Sequence, residues 1–160
     1  NYMAPWEGGF GATVSWKGIT LSTQWSWIAD RYMLNNDRFF EESNGLFSTY
    51  NQSKRMLYDR WKNPGDVTDI PRYGITPQMD SRFLEDASFL RMKNIMLSWQ
   101  LPAKWLAKTR VINGVRLYLQ GQNLLTFTSF SGLDPENSSN VYKAQYPATR
   151  QYTFGGEITF

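Results

Sequence analysis

The chain has 160 residues and a mass of 18.6 kDa, with 7 Trp, 9 Tyr and 10 Phe but only 19% charged residues. It contains neither Cys nor His, which removes disulfides, thiolate and imidazole zinc sites, cysteine nucleophiles and imidazole bases, and with them triad and zinc chemistry. The net charge of +3 is mild and the Lys and Arg residues are scattered, so no nucleic-acid partner is expected.

No stretch approaches the roughly 20 consecutive apolar residues of a membrane-spanning helix, and the first residues lack the basic-then-apolar layout of a secretory signal. A mean hydropathy of −0.51 is nevertheless compatible with a transmembrane β-barrel, whose strands alternate lipid-facing apolar and lumen-facing polar side chains. The test is periodicity. Phe10, Ala12, Val14 and Trp16 alternate with Gly9, Gly11, Thr13 and Ser15, which predicts a strand. Lys17-Gly18 then predicts a tight turn into a second strand, with Ile19, Leu21, Trp25 and Trp27 on one face and Thr20, Ser22, Gln24 and Ser26 on the other. Between Gly8 and Ala29 the one charged residue is Lys17, in that turn.

From Leu34 to Arg82 the alternation lapses, charges return, and Pro64-Gly65, Pro71 and Pro77 punctuate a long loop with one short helix expected near Phe47 to Trp61. A third strand is expected where Ile95, Leu97, Trp99 and Leu101 alternate with Asn94, Met96, Ser98 and Gln100, ending at Pro102. Ala103 to Asn113, with Lys104, Lys108 and Arg110 around Trp105 and Leu106, reads as a compact connection or single helical turn closed by Gly114. Val115, Leu117 and Leu119 alternate with Arg116, Tyr118 and Gln120 in a fourth strand extending to about Thr126. After a polar loop over 129–150, Tyr152, Phe154, Gly156, Ile158 and Phe160 alternate with Thr153, Gly155, Glu157 and Thr159 in a fifth.

Connections that run short, long, short, long match a bacterial barrel with brief periplasmic turns and extended extracellular loops. On that orientation Trp16, Trp99 and Phe160 lie near the inner rim, and Phe10, Trp25, Trp27 and Tyr152 near the outer one. Five strands cannot close a barrel, since the smallest natural ones have about 8, and an open sheet in hydrocarbon would strand unpaired backbone at both edges. The fold expected is therefore all-β, with residues 1–160 forming about five C-terminal antiparallel strands of a larger transmembrane β-barrel. The loops over 34–82 and 129–150 are expected to be extracellular.

Four segments carry a resemblance: Trp6-Glu7-Gly8-Gly9-Phe10, Arg82-Phe83-Leu84-Glu85-Asp86-Ala87-Ser88-Phe89-Leu90-Arg91, Gly121-Gln122-Asn123-Leu124-Leu125-Thr126-Phe127-Thr128 and Ser131-Gly132-Leu133-Asp134-Pro135-Glu136. In order and spacing they resemble the C-terminal region of the SusC/RagA family of TonB-dependent outer-membrane transporters of the Bacteroidetes. The resemblance implies a barrel of about 22 strands with an N-terminal plug, neither the plug nor a signal peptide being in this sequence. It implies import of oligosaccharides or peptides driven through TonB, with a SusD-like surface lipoprotein as partner, outer-membrane lipid around the barrel, and no cofactor. Thr153, Gly155, Ile158 and Phe160 fit the family's barrel-assembly signal, with an aliphatic residue at 158 where an aromatic is usual.

Catalysis is not expected: in the pairs Glu41-Glu42 and Glu85-Asp86 strand neighbours would point to opposite faces, with no orienting partner evident. Asp66, Asp69 and Asp80 match no calcium loop, and no metal site is expected. Trp16, Trp25, Trp27 and Trp99 read as interfacial aromatic anchors. Tyr50, Tyr58, Trp61 and Tyr73 are candidate lid or cargo contacts, against the simpler reading that they fix the loop's own fold. Arg116, Gln120 and Gln122 are expected to face the lumen, where bonding to the plug is favoured over touching cargo. Two alternatives compete: a soluble secreted β-sandwich that binds carbohydrate, which requires one buried and one wet face, and a SusC-like accessory subunit of another outer-membrane complex.

Overall fold

The computed structural model describes residues 3–47, 49–107 and 111–160. Lys108 and Arg110 of the expected compact connection lie outside them. Five long strands form one antiparallel meander: β1 (Trp6–Trp16), β2 (Ile19–Ala29), β5 (Phe89–Gln100), β6 (Gly114–Gln122) and β9 (Gln151–Thr159), in the spatial order β1-β2-β5-β6-β9. At 11, 11, 12, 9 and 9 residues they match the length a tilted strand needs to cross a bilayer. The first three extend past the expected bounds on the side of the long connections. No helix among the described residues is long and apolar enough to cross a membrane.

Register explains why alternation was so clean. Phe10 pairs with Trp25, Val14 with Leu21 and Trp16 with Ile19; Leu21 pairs with Leu97 and Ile19 with Trp99; Leu97 pairs with Leu119 and Trp99 with Leu117; and Leu119 pairs with Phe154. One face is thus a continuous apolar surface with no charged residue. The opposite face carries Thr13 bonded to Ser22, Ser15 to Thr20, and Gln120 Nε2 donating to Asn94 Oδ1 at 2.8 Å. Lys17 and Gly18, both at positive φ, form the tight turn that reverses the chain between β1 and β2.

The expected fourth strand does not run unbroken to Thr126. It stops at Gln122, Asn123 takes a positive φ, and β7 (Thr126–Thr128) resumes the pairing against Phe89–Arg91. The interruption lies beside a second irregularity. The β2–β5 register shifts between Gln24 and Trp25, whose partners are Asn94 and Met92, leaving Lys93 as an extra residue. This bulge keeps Met92 with Trp25 on the apolar face and sets Arg91 on the polar one.

The long connections are not irregular coil. A small sheet joins them: β3 (Tyr32–Asn35) pairs antiparallel with β4 (Leu84–Asp86) and parallel with β8 (Val141–Tyr142). Helix α1 (Asn36–Glu41) follows β3, capped by Asn35, whose side chain accepts from the Arg38 N–H. The helix expected near Phe47 to Trp61 is only the single turn α2 (Arg55–Tyr58). It ends because Trp61 N–H bonds Ile70 and because Asp66 accepts from the Lys62 and Asn63 N–H groups, which turns the chain away. A 3₁₀ turn (Ser81–Phe83) leads into β4, and α3 (Ala103–Leu106) is the single turn anticipated between β5 and β6.

The buried core sits in this cap, not under the meander: Met33, Ala87, Phe130 and Tyr142 form one cluster, and Phe83 is fully buried. Every described residue of β1 is exposed. Among the described residues no second sheet packs on the apolar face, and the buried face that a sandwich requires is missing there.

Candidate functional site

The cap over the long-connection end is assembled by side chains that the sequence scatters. Arg91, 3% exposed, lies on the polar face at the start of β5. Its Nη2 donates to Asp134 Oδ1 at 2.5 Å, its Nη1 to Glu136 Oε2 at 2.7 Å and its Nε to Thr126 Oγ1 at 3.0 Å. Lys93, the bulged residue, reaches Glu136 from the same strand. Asp134 also accepts from the backbone N–H groups of Glu136 and Ala148, at 2.9 and 2.8 Å, so one carboxylate organises both ends of the 129–150 loop. Burial alone would raise the Asp134 carboxyl, but the Arg91 guanidinium and those two N–H donors outweigh it and hold it below the usual carboxylate range.

A second network ties the 34–82 loop down. Arg38 bonds Glu42 at 3.0 Å, Glu85 at 3.1 Å and Asp69 at 3.2 Å, while Arg55 bonds Glu42 at 2.7 Å and Asp69 at 2.8 Å. Glu85 accepts from both the N–H and the hydroxyl of Ser131. Its burial is likewise offset, by Ser131 and then Arg38, leaving its pKa lowered, and Asp69 is lowered against burial chiefly by Arg55. Arg31 donates to the carbonyl of Asn137 across the two loops. Three of the four recognisable segments therefore meet: Arg82 to Arg91 supplies Glu85 and Arg91, Ser131 to Glu136 supplies their charged and hydroxyl partners, and Gly121 to Thr128 supplies Thr126.

Glu42 is 1% exposed and shared between two arginines, Glu85 is bonded by Ser131 and Arg38, and with Glu41 and Asp86 they border a cleft of about 470 Å³. Asp69 is paired to arginines, Asp66 closes a turn and Asp80 caps the 3₁₀ turn through the Arg82 N–H. Among the described residues no group of three or more His, Cys, Asp or Glu is placed to hold a metal.

The four aromatic candidates are not brought together. Tyr50 borders a cleft of about 680 Å³ between the two loops, with Asn35, Asp37, Phe40, Glu41 and Tyr142, and packs edge-on to Phe40 and Phe47. Tyr58 projects elsewhere, 69% exposed. Trp61 is half-buried and bonds Ile70 through its backbone; Tyr73 lies over Gly45, with Arg60 5.4 Å from its ring.

In the sheet, Trp16, Trp25, Trp27 and Trp99 all fall on the apolar face. Phe10 and Trp25 stack with centroids 6.1 Å apart, and the Trp27 indole covers Gly8. Trp105, to which no anchor role was given, packs edge-on to Trp99 at 5.8 Å. On the polar face Arg116 approaches Glu157 at 3.9 Å. In β9, Thr153 and Gly155 share the polar face while Ile158 falls on the apolar one; the Tyr118 ring lies over Gly155, where a Cβ would come within 2.5 Å of its hydroxyl.

No protein-family model matches the chain. Among curated proteins it is 35% identical over 117 residues to TonB-dependent receptor P3 of Formosa agariphila, covering 65% of the chain and 12% of that protein. It is 33% identical over 133 residues to TonB-dependent receptor SusC of Bacteroides thetaiotaomicron, covering 81% of the chain and 13% of the receptor. Among solved structures it matches the RagAB peptide importer in the closed-closed state with a TM-score of 0.90 and 43% identity, over 99% of this chain and 18% of the other. The open-open state gives the same score and identity. The chain thus spans less than a fifth of the length of these relatives, whose names are those of receptors and importers and not of enzymes. A charge-free apolar sheet face, a bonded polar face and this likeness across both wall and cap make the chain a segment of a SusC/RagA-family TonB-dependent outer-membrane β-barrel.

Proposed function

We propose that the protein of which this segment is part imports a peptide or oligosaccharide across the outer membrane, powered through TonB and assisted by a SusD-like surface lipoprotein. The observation that carries the reading is the likeness at 43% identity to a peptide importer, which extends over the loop cap as well as the strands and favours a peptide cargo. The segment supplies C-terminal wall strands, and the 34–82 and 129–150 loops are extracellular. Trp16, Trp25, Trp27 and Trp99 anchor the wall at the lipid interfaces. Thr153, Gly155, Ile158 and Phe160 act as the assembly signal. Tyr50, at the open cleft between the loops, is the best placed of the four aromatic candidates to touch cargo or lipoprotein, with Tyr58 second. This part of the chain has no catalytic role.

The test uses the full-length protein in its host. Deleting its gene is expected to abolish uptake of labelled peptides too large for diffusion porins and to leave small-solute entry unchanged, and an affinity tag on it should recover a surface lipoprotein from detergent extracts. Unchanged peptide and oligosaccharide uptake would overturn the importer reading.

A further inference from the structure

The two ends of the meander differ in charge. The short connections, 17–18 and 101–113, contain Lys17, Lys104, Lys108 and Arg110 and no Asp or Glu. The long connections carry a slight excess of Asp and Glu over Lys and Arg, and Arg38 and Arg55 among their arginines are held in the ion pairs of the cap. Among the described residues Lys17 and Lys104 are both exposed and neither is in an ion pair. They belong to one rim: Gln100 N–H bonds the Gly18 carbonyl at 2.8 Å, so the β1–β2 turn abuts the strand end that leads into α3. The same rim is aromatic. Lys17 Nζ lies 4.6 Å from the centroid of the Trp16 ring, Trp16 and Trp99 both pair with Ile19, and Trp105 packs on Trp99 beside Lys104.

We propose that this rim, with Lys17 and Lys104 flanking Trp16, Trp99 and Trp105, binds the headgroups of anionic phospholipids. Indole rings settle at the depth of the headgroups, where an exposed ammonium meets lipid phosphate, and unpaired cations without neighbouring carboxylates favour a net negative headgroup over a zwitterionic one. The apolar sheet face continues directly below, so acyl chains have a surface to lie on. The inference rests on reading the sheet as a barrel wall.

The experiment reconstitutes the full-length protein in vesicles of phosphatidylethanolamine doped with phosphatidylglycerol, extracts it gently, and measures by mass spectrometry the ratio of the two lipids that stay bound. The ratio for the unmodified protein is expected to exceed that of the bulk vesicle, and the Lys17→Gln, Lys104→Gln double variant is expected to lose about fivefold per lysine. The Lys17→Arg, Lys104→Arg pair should retain the enrichment, and Lys54→Gln with Lys62→Gln, in the long connection, should leave it unchanged. Folding of each variant is checked by heat-modifiable migration on a gel. No enrichment, or enrichment that survives the Gln pair, would overturn the inference while leaving the barrel intact. Failure of the unmodified protein to enter the vesicles would overturn the barrel reading and this inference with it.

Discussion

Replacing Arg91 by Leu is expected to release the 129–150 loop without unfolding the wall. Arg91 is 3% exposed and makes charge-assisted bonds to Asp134 and Glu136. Leu fills part of its volume but leaves the Asp134 carboxylate buried without its cation, and removing one member of a buried pair costs about 3–5 kcal/mol. Two backbone N–H bonds to Asp134 survive, from Glu136 and Ala148, which argues for the lower part of that range. If the cost falls on local opening, amide exchange at Glu136 and Ala148 should speed up by at least about a hundredfold. The β1 and β2 amides, bonded within the meander, should not change. Hydrogen exchange with mass spectrometry on the full-length protein in detergent reads both regions at once. Asp134→Asn alone should resemble Arg91→Leu, and the two together should add little, because both remove one interaction. Equal protection at Ala148 in Arg91→Leu, or additive effects in the double variant, would refute the reasoning.

On the apolar face, Leu97→Arg, in the row between Leu21 and Leu119, is expected to cost about 2–4 kcal/mol of barrel stability in lipid, whereas Gln120→Arg on the polar face should cost far less; urea unfolding in vesicles compares them, and equal costs would contradict the assignment of faces. Gly155→Ala should impair assembly because its Cβ would fall 2.5 Å from the Tyr118 hydroxyl, and Tyr118→Ser should restore the folded yield on a heat-modifiability gel. Lipid-borne bromine should quench Trp25 and Trp99 strongly, each tested as the variant's retained tryptophan, and weak quenching would count against a lipid-facing sheet. Glu85, Asp69 and Asp134 all have folded pKa values depressed below the unfolded ones, so the stability they give the cap is present above the ordinary carboxylate range and is lost as pH falls through the folded values. Limited proteolysis of the loops should therefore accelerate in acid, and acceleration on raising the pH instead would reverse the argument.

The wall was legible because it obeys a local rule. A strand with lipid on one side and polar groups on the other must alternate, and Phe10 to Trp16 or Ile95 to Leu101 state that period within a few residues. The cap obeys no such rule. Arg91 and Asp134 are 43 residues apart, Glu85 and Ser131 46, and Arg31 and the Asn137 carbonyl 106, and no periodicity announces a pairing over such separations. Sequence reasoning accordingly saw loops where β3, β4 and β8 pair, and left Glu85 and Arg91 without roles although they lie in recognisable segments. Lys93 was hidden differently: an added residue at a bulge shifts the alternation by one, so β5 began earlier than the pattern after Asn94 implied. A short helix was expected near Phe47 to Trp61, but Phe47 packs on Phe39 and Phe40 and Tyr50 packs edge-on to Phe40, which holds α1 and does not extend a second helix.

Wall and cap are held by different forces, and this bears on what the segment needs from the rest of its protein. The cap is closed by charge pairs and a small apolar cluster of its own, Met33, Ala87, Phe130 and Tyr142. The meander has little core: β1 and β9 each pair on one side only and are almost wholly exposed, and its large buried apolar side chains among the described residues are Phe89 and Met92 of β5. In water its apolar face would aggregate, and in hydrocarbon the unpaired N–H and C=O groups along the free edges of β1 and β9 would cost several kcal/mol each. Each edge therefore requires a neighbouring strand, and the polar face, with Arg116, Gln120 and Glu157, requires water or a polar filling. The ion pairs of the 129–150 loop cannot substitute for either, since their anchors on the wall, Arg91 and Lys93, lie on β5 and not on an edge strand. The wall's stability is thus a property of the closed barrel, whereas the shape of the cap is written in this segment.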